Sequence, residues 1–432
     1  MSSTKTLIKR PAGSFILLLS FIILAASCKK NNSMNPEQGT ITIENVLNSK
    51  PLVQSGTFKG NGTPPVIFPG QSISFSFYAG PGQALSFATM YGWSNDLFFA
   101  PENPGIKLYD DAGKPFTGDV SAQVKLWDNG TRINQAPGMN VTHPGVAETS
   151  PKPVTEVTGT DAQGNNYLPA SQLLKASLAY DGNSKFTVTL MNNSGGTLNE
   201  TPFSPGVWTI SYNVGGTLQN AMPIYTKGQL SVNGLTNIAE MGDNTMLSTY
   251  LTGMTGIFTP LSPVLVVVYN GNPFYKTGEK DRGEGLKELA QMGNADILAA
   301  ALRTKAGVKQ VYVLKEPATT VLLPKIGDKS GGKVSQQLNL AQGDRVAVAT
   351  MYGFSKDWFF ATRGNGIGME DIKNSDLSSL MGLFDNGTAL DLFPGASGMA
   401  PAETKPIQEV ANPNVYTTLP PVNQMIKVTF NK

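Results

Sequence analysis

Hydrophobic and polar residues alternate over many short segments of this chain. In QSISFSFYAG (residues 71–80), the apolar side chains of Ile73, Phe75 and Phe77 fall on one face of a strand and serines on the other. Such segments are separated by turns, and the chain contains 46 Gly and 29 Pro, which favours turn-rich β structure. No succession of strand, helix and strand appears. We therefore expect an all-β protein built from antiparallel β-sandwiches.

Helical spacing of apolar residues is clearest in two related segments. These are GLTNIAEMGDNTMLSTYL (residues 234–251) and GLKELAQMGNADILAAAL (residues 285–302). Each segment is interrupted by a glycine followed by a residue that can cap a new helix. We expect two short helices at an angle in each segment, lying at the edge of a sandwich.

Three blocks of sequence occur twice in the same order, at nearly constant offset. They are ATMYGWSNDLFFA (88–100) and ATMYGFSKDWFFA (349–361), KLWDNGT (125–131) and GLFDNGT (382–388), and AETSPKPVTEV (147–157) and AETKPIQEV (402–410). The first pair is identical at ten of 13 positions. A fixed order of several blocks indicates a duplicated domain rather than a short motif repeated by chance.

The repeats place a first sandwich at residues 40–198 and a second at residues 258–432. Residues 199–257 contain a Ser-Pro strand, FSPGVWTISYN, that resembles LSPVLVVVYN in the second copy, together with the first helical segment. This segment either belongs to the first sandwich or is inserted into the second. The last strand, MIKVTFNK, resembles KFTVTLMN near the end of the first sandwich.

The Ser-Pro strand, the helical segment, the ATM block and the DNGT turn follow one another between residues 261 and 388. In this order they resemble the spondin N-terminal domain, the family of F-spondin and mindin. The second copy carries the whole pattern, whereas the first lacks a helix between its first strand (residues 41–47) and the turn at Pro69. The resemblance implies an antiparallel sandwich with one or two short edge helices, a calcium ion held among acidic loop residues, and a role in adhesion.

The first 27 residues resemble the signal peptide of a bacterial lipoprotein. Basic residues precede a 12-residue apolar run, FILLLSFIILAA, which is too short to span a bilayer. Cys28 follows it and is the only cysteine, so it cannot form a disulfide within the chain. We expect Cys28 to carry lipid that anchors the protein to a membrane; an ordinary secretory signal with a chance cysteine is the alternative.

Residues 28–39 are polar and aperiodic, and we expect them to form a flexible tether. The predicted location is the cell envelope, with the outer membrane favoured. Lys29 and Lys30, directly after the cysteine, favour the periplasmic face, although the sequence leaves the periplasmic and surface faces open.

Several function classes are disfavoured by what the chain lacks. The net charge is +2 and no basic run exceeds two residues, which disfavours nucleic acid as a partner. His143 is the only histidine, so a catalytic triad would depend on this one residue and a zinc site would lack its usual ligands. We therefore expect a binding or adhesion protein whose partner is a protein or a glycan, not an enzyme. A structural or assembly role in the envelope is the alternative, and a glycan hydrolase using two carboxylates is a third.

Four aspartates open turns in the repeated blocks. They are Asp96 and Asp128 in the first copy and Asp357 and Asp385 in the second. If the two turns of a copy meet, their carboxylates converge and would suit Ca²⁺, as the spondin resemblance also implies. The alternative is that each aspartate simply accepts hydrogen bonds from backbone amides of its own turn. Lys356 precedes Asp357, and we expect this cation to make metal binding weaker in the second copy.

Aromatic residues of the repeated blocks are either core residues or ligand contacts. Trp93, Trp127 and Trp358 are the candidate contacts, because aromatic rings near loops suit carbohydrate or protein partners. Each ATM block also contains two adjacent phenylalanines, which a strand must direct to opposite faces. We expect one phenylalanine of each pair to point outward or to lie beneath a loop.

Overall fold

The structure, a computed structural model, describes residues 36–396, 398 and 400–432. The predicted signal peptide, Cys28 and most of the predicted tether lie outside the described residues. The first strand of the described residues begins at Glu37, slightly before the expected start of the sandwich at Thr40. Within the described part of the chain, no helix combines the length and apolar character needed to cross a bilayer.

Antiparallel strands make up most of the fold, which confirms the predicted all-β class. The strands are β1 (Glu37–Asn45), β2 (Leu52–Phe58), β3 (Ser72–Tyr78), β4 (Ala84–Met90), β5 (Leu97–Pro101), β6 (Ile106–Lys107), β7 (Gly118–Asp119), β8 (Val124–Asp128), β9 (Thr155–Glu156), β10 (Leu174–Gly182), β11 (Lys185–Asn192), β12 (Gly206–Ser211), β13 (Asn213–Val214), β14 (Thr217–Leu218), β15 (Val264–Tyr269), β16 (Val308–Leu314), β17 (Lys333–Leu340), β18 (Arg345–Met351), β19 (Trp358–Thr362), β20 (Ile367–Gly368), β21 (Met381–Asp385), β22 (Gln408–Glu409) and β23 (Ile426–Asn431).

Helices are few and short. The α-helices are α1 (Ala170–Leu173), α2 (Leu235–Met241), α3 (Thr245–Met254), α4 (Leu286–Met292) and α5 (Asp296–Arg303). Single 3-10 turns occupy Ser121–Gln123, Asp371–Lys373, Ser378–Leu380 and Val422–Gln424. The pairs α2–α3 and α4–α5 match the two predicted helical segments, each broken at a left-handed glycine, Gly242 and Gly293.

The first sandwich packs a four-stranded sheet against a larger sheet. The small sheet has the strand order β3-β11-β10-β7, and the large sheet has the order β2-β12-β4-β5-β8-β9. Their facing side chains form one buried core, in which Phe77 and Phe186 of the small sheet meet Phe87 and Leu126 of the large one. Alternation along β10 and β11 buries every second residue, as the sequence pattern predicts.

The second sandwich repeats this arrangement. Its small sheet has the order β17-β1-β23, and its large sheet has the order β16-β15-β18-β19-β21-β22. The core between them contains Leu338 and Val428 from the small sheet and Val346 and Phe360 from the large one. Both sandwiches therefore have the same two-sheet arrangement around separate cores.

The paired helices cover the outer face of each large sheet, rather than lying at an edge as expected. A second apolar cluster fills the space between α2–α3 and the first large sheet, and another fills the space between α4–α5 and the second. The adjacent phenylalanines explain this third layer: Phe98 points toward the helices and Phe99 toward the sandwich core. Phe359 and Phe360 divide in the same way. All four are buried, so neither pair contributes an exposed ring.

Strand β1 belongs to the second sandwich, although the sequence repeats place it in the first. It lies between β17 and β23 and is antiparallel to both. Its inward residues Ile41 and Ile43 are fully buried in the second core, which is the physical reason for this placement. The sequence pattern marks a half-buried strand correctly but carries no information about its partner.

Residues 199–257 complete the first sandwich. Strand β12 inserts between β2 and β4, and α2–α3 pack on the same sheet. The alternative of an insertion into the second sandwich is therefore wrong for this segment. Instead, the whole first sandwich lies in the sequence between β1 and β15, which are the first two strands of the second sandwich in chain order.

Candidate metal centre

Strand pairing brings the predicted aspartates together in each sandwich. Leu97, the first residue of β5, pairs with Asp128, the last residue of β8. Asp96 directly precedes β5, so antiparallel pairing places it beside the turn that begins at Asp128. The same register joins Trp358 to Asp385 in the second sandwich and brings Asp357 to the equivalent turn.

Asp96 is fully buried, and one of its oxygens accepts three hydrogen bonds. Oδ2 receives the Thr131 N–H at 2.7 Å, the Thr131 hydroxyl at 3.0 Å and the Arg132 N–H at 2.9 Å. Its Oδ1 is also buried but has no hydrogen-bond partner in the protein. Asp96 therefore fixes the DNGT turn with one oxygen and leaves the other without a donor.

Asp357 repeats this arrangement in the second sandwich. Its Oδ2 accepts the Thr388 N–H at 2.6 Å, the Thr388 hydroxyl at 2.9 Å and the Ala389 N–H at 2.9 Å. Asp357 is fully buried, and its Oδ1 likewise lacks a partner. Two copies with different surroundings thus keep the same unpartnered oxygen.

The aspartates that open the DNGT turns also act as turn residues. Asp128 Oδ1 accepts the Gly130 N–H at 2.7 Å, and Asp385 Oδ1 accepts the Gly387 N–H at 2.7 Å. Gly130 has a φ of 74°, and a Cβ there would lie 2.4 Å from the Lys152 carbonyl oxygen, so this turn requires glycine. The turn-forming role predicted as the alternative is therefore present, and in each aspartate it uses only Oδ1.

A third polar side chain, which the sequence analysis missed, joins each pair. Asn134 donates its Nδ2 to Asp128 Oδ2 at 2.7 Å, while its own Oδ1 is buried without a partner. The second sandwich has Asp391 at the equivalent position, six residues after the DNGT aspartate. Aligning the two repeats beyond the DNGT block would have found both residues.

The second sandwich gathers three carboxylates within a small volume. Asp357, Asp385 and Asp391 each offer an oxygen, and these oxygens lie within 4.8 Å of one another. Asp391 is held in place by the Trp358 indole N–H, which donates to its Oδ1 at 2.6 Å. The expectation that Lys356 weakens metal binding at the second site stays a prediction. Lys356 forms no ion pair with these aspartates in the described structure, and burial lowers its pKa.

Burial and mutual repulsion disfavour ionisation of these carboxyl groups. Burial and, after it, the neighbouring charge of Asp128 raise the pKa of Asp96 to about 6, against the opposing effect of the backbone hydrogen bonds. Burial and the charge of Asp385 likewise raise the pKa of Asp391 to about 6. For Asp357, burial and then the charge of Asp385 raise the pKa well above its ordinary value. A bound cation would reverse these effects.

The first helix of each pair contacts the adjacent turn. In the first sandwich, Arg132 forms an ion pair of 2.6 Å with Glu240 at the end of α2. In the second, the equivalent Gln291 donates to the Thr388 hydroxyl at 2.9 Å. The helical layer thus supports the geometry of the turns through different chemistry in the two copies.

The tryptophans divide into core residues and one groove residue. Trp127 is fully buried, and its indole N–H donates to the Ala100 carbonyl, while Trp358 is 2% exposed. Neither ring has surface to offer a ligand, so these two predicted contacts are corrected to core positions. Trp93 is half-buried and lines a surface groove together with His143.

No protein-family model matches this chain, and no curated protein matches it either. The resemblance to spondin N-terminal domains therefore rests on the repeated sequence blocks.

Proposed function

We propose that the protein is a lipid-anchored binding protein of the cell envelope whose two sandwiches each bind a calcium ion. The observation that supports this proposal best is the buried, unpartnered Oδ1 of both Asp96 and Asp357. A buried carboxylate oxygen without a donor is costly in free energy, and a cation is its natural partner.

The residues present fit a hard divalent cation. In the first sandwich the candidate ligands are Asp96, Asp128 and Asn134, and in the second they are Asp357, Asp385 and Asp391. All of these donor atoms are oxygens, which Ca²⁺ prefers, whereas zinc sites are usually built from histidine and cysteine. Bound calcium would supply the positive charge that offsets carboxylate repulsion and would lock the paired turns together.

The two sites differ in charge. Three carboxylates surround the second site, whereas Asn134 leaves two carboxylates at the first. Calcium affinity rises with the number of charged ligands. We therefore expect the second site to bind calcium more tightly than the first, whatever the effect of Lys356.

The adhesive role has support from the sequence. The predicted lipid on Cys28 would hold the protein at a membrane, and spondin-type domains imply an adhesive protein with a protein or glycan partner. Burial of Asp96 and Asp357 favours cation binding over hydrolysis, because a glycosidase must present both carboxyl groups to its substrate. A structural role in envelope assembly is the second candidate, and it predicts a stable protein partner without glycan affinity.

Calcium titration of the metal-free protein by calorimetry tests the proposal. We expect two binding events: Asp357→Ala with Asp385→Ala should remove the tighter one, and Asp96→Ala with Asp128→Ala the weaker. Asp119→Ala is a matched control, because Asp119 accepts the Ser121 N–H in a similar turn but is exposed and has no buried oxygen without a partner. Absence of both binding heat and thermal stabilisation in the wild type would refute calcium binding.

The predicted anchor needs a separate experiment. Metabolic labelling with a radioactive fatty acid should label the wild type and not Cys28→Ser, and only the wild type should sediment with membranes. Protease treatment of intact cells then distinguishes the surface face from the periplasmic face. A Cys28→Ser protein that remains labelled would contradict lipidation at this cysteine.

A further inference from the structure

A polar groove of about 450 Å³ opens directly beside the first metal centre. Asp128 and Asn134 form one wall of this groove, and the segment from Thr155 to Gln163 contributes to another. The groove therefore connects two of the candidate calcium ligands with solvent.

Asn134 is the residue that points to a ligand here. The residue is only 6% exposed, and its Nδ2 is used in the hydrogen bond to Asp128. Its Oδ1 is buried and has no partner in the protein, and Asn134 is one of the residues that line the groove. A buried acceptor in this position is satisfied by a cation that is itself reachable from the groove.

The first centre is also the one better suited to accept an outside ligand. Two carboxylates neutralise one Ca²⁺ there, whereas three carboxylates in the second centre give it a net negative charge. Calcium takes six to eight oxygen ligands, so two carboxylates and an amide leave coordination positions to be filled. Neutral hydroxyl oxygens fill such positions without adding charge.

Charges around the groove restrict the class of ligand. Four carboxylates line it against a single lysine: Asp128, Glu148, Glu156 and Asp161 with Lys152. Lys152 is paired with Glu148 at 2.5 Å, so its positive charge is already offset by one of these carboxylates. Uronic acids and sulfated sugars are therefore disfavoured by repulsion. The hydroxyls of Thr155, Thr158 and Thr160 offer hydrogen bonds to a neutral polyol.

We propose that calcium in the first centre presents this groove to a neutral sugar, which coordinates the ion through two adjacent hydroxyl oxygens. The inference rests on the proposed calcium binding and adds the ligand class and the sandwich that recognises it. The second centre then serves the stability of its own sandwich.

Saturation-transfer NMR with methyl α-mannoside and methyl β-galactoside tests this inference, with methyl glucuronide as the anionic probe. The experiment uses the full-length protein, and calcium binding is measured on the same samples by calorimetry. We expect transfer to at least one neutral glycoside with calcium, loss of transfer with chelator, and none to the glucuronide. Asp128→Ala should abolish transfer, whereas Asp385→Ala in the second centre should retain it.

Thr158→Trp separates the groove from the metal. Thr158 is exposed, so a large side chain there should block the groove without disturbing the fold. We expect it to weaken the glycoside at least about tenfold while calcium affinity is unchanged. Calcium binding without transfer to either neutral glycoside would overturn the sugar inference and leave the calcium proposal intact. Absence of calcium binding in the first centre would overturn both the calcium proposal and the sugar inference. Transfer to a glycoside that does not need calcium would overturn the sugar inference alone.

Discussion

Replacing Asp96 with asparagine should stabilise the metal-free protein, although Asp96 makes three hydrogen bonds. The carbonyl oxygen of asparagine can take the place of Oδ2 and accept from Thr131 and Arg132. Its amide nitrogen then occupies the position of the unpartnered Oδ1 and provides a donor where the wild type has none. The charge that repels Asp128 is also removed.

The magnitude follows from the pKa of Asp96. Burial and the charge of Asp128 raise that pKa from 3.8 to about 6. This difference means that ionising Asp96 at neutral pH costs the folded state about 3 kcal/mol. Neutral hydrogen bonds are weaker than those to a carboxylate, which offsets part of this gain. We expect Asp96→Asn to raise the free energy of unfolding of metal-free protein by about 1–2 kcal/mol.

The pH dependence of stability tests independently whether ionised Asp96 destabilises the metal-free protein. A carboxyl group whose pKa is raised by folding contributes stability that is present at low pH and lost as pH rises through the folded-state value. Metal-free wild type should therefore lose stability progressively from about pH 4, near the unfolded-state pKa, to about pH 6, the folded-state pKa of Asp96. Asp96→Asn should lose less over this range, because only the carboxyls of the second sandwich and Asp128 still ionise.

Urea unfolding followed by tryptophan fluorescence, with chelator and with calcium, measures both effects. Calcium at about 100 times its dissociation constant should stabilise the wild type by about 2.7 kcal/mol per site. Asp96→Asn should lose the contribution of the first site, and Asp96→Ala should be less stable than the wild type because it loses the turn hydrogen bonds. If metal-free Asp96→Asn is less stable than the wild type near neutral pH, the electrostatic reasoning is wrong.

Three further substitutions test other parts of the structure. Ile43→Ala should lower the free energy of unfolding by about 2–5 kcal/mol. Hydrogen exchange should increase in β17 and β23, while β3 and β11 stay protected. Increased exchange in β3 and β11 alone would place β1 in the first sandwich. Gly130→Ala should lower the thermal midpoint and weaken calcium binding at the first site, because its φ is 74° and the Lys152 carbonyl blocks a Cβ; unchanged calorimetry would contradict this. Trp358→Phe should weaken calcium binding at the second site only, because Asp391 loses the donor that positions it; a circular dichroism spectrum like the wild type's is the control.

Alternation of apolar and polar residues was sufficient to predict the fold class, and the repeated blocks suggested the pairing of the acidic turns. Asp96 and Asp128 are 32 residues apart in sequence, yet both flank strands, and antiparallel neighbours bring the start of one strand to the end of the next. The prediction needed only that β5 and β8 are neighbours. The sequence predicted the helices but not that they cover the outer face of each large sheet. Amphipathic spacing shows that a helix packs against a partner, but it does not show which face of a sheet that partner is.

The position of β1 could not be predicted, and the reason is topological. Asn45 at the end of β1 donates to the carbonyls of Thr259 and Leu322, just as Asn192 at the end of β11 donates to those of Thr201 and Ile67. Thus β1 takes the place of β11 in the second sandwich, and the two copies are circularly permuted relative to each other. The last strand, β23, correspondingly matches β10 and not the KFTVTLMN strand to which it was compared. Pairwise similarity of short strands is too weak to reveal such a permutation.

The two copies differ around their turns but agree in having a buried aspartate there. The surroundings of the two turns have diverged: Arg132 with Glu240 in the first copy corresponds to Ala389 with Gln291 in the second. Asn134 likewise corresponds to Asp391. Asparagine would also accept hydrogen bonds from the turn amides, and it would avoid the cost of a buried charge. Both copies nevertheless retain an aspartate with one oxygen bonded and one free, which the turn does not need and a bound cation does.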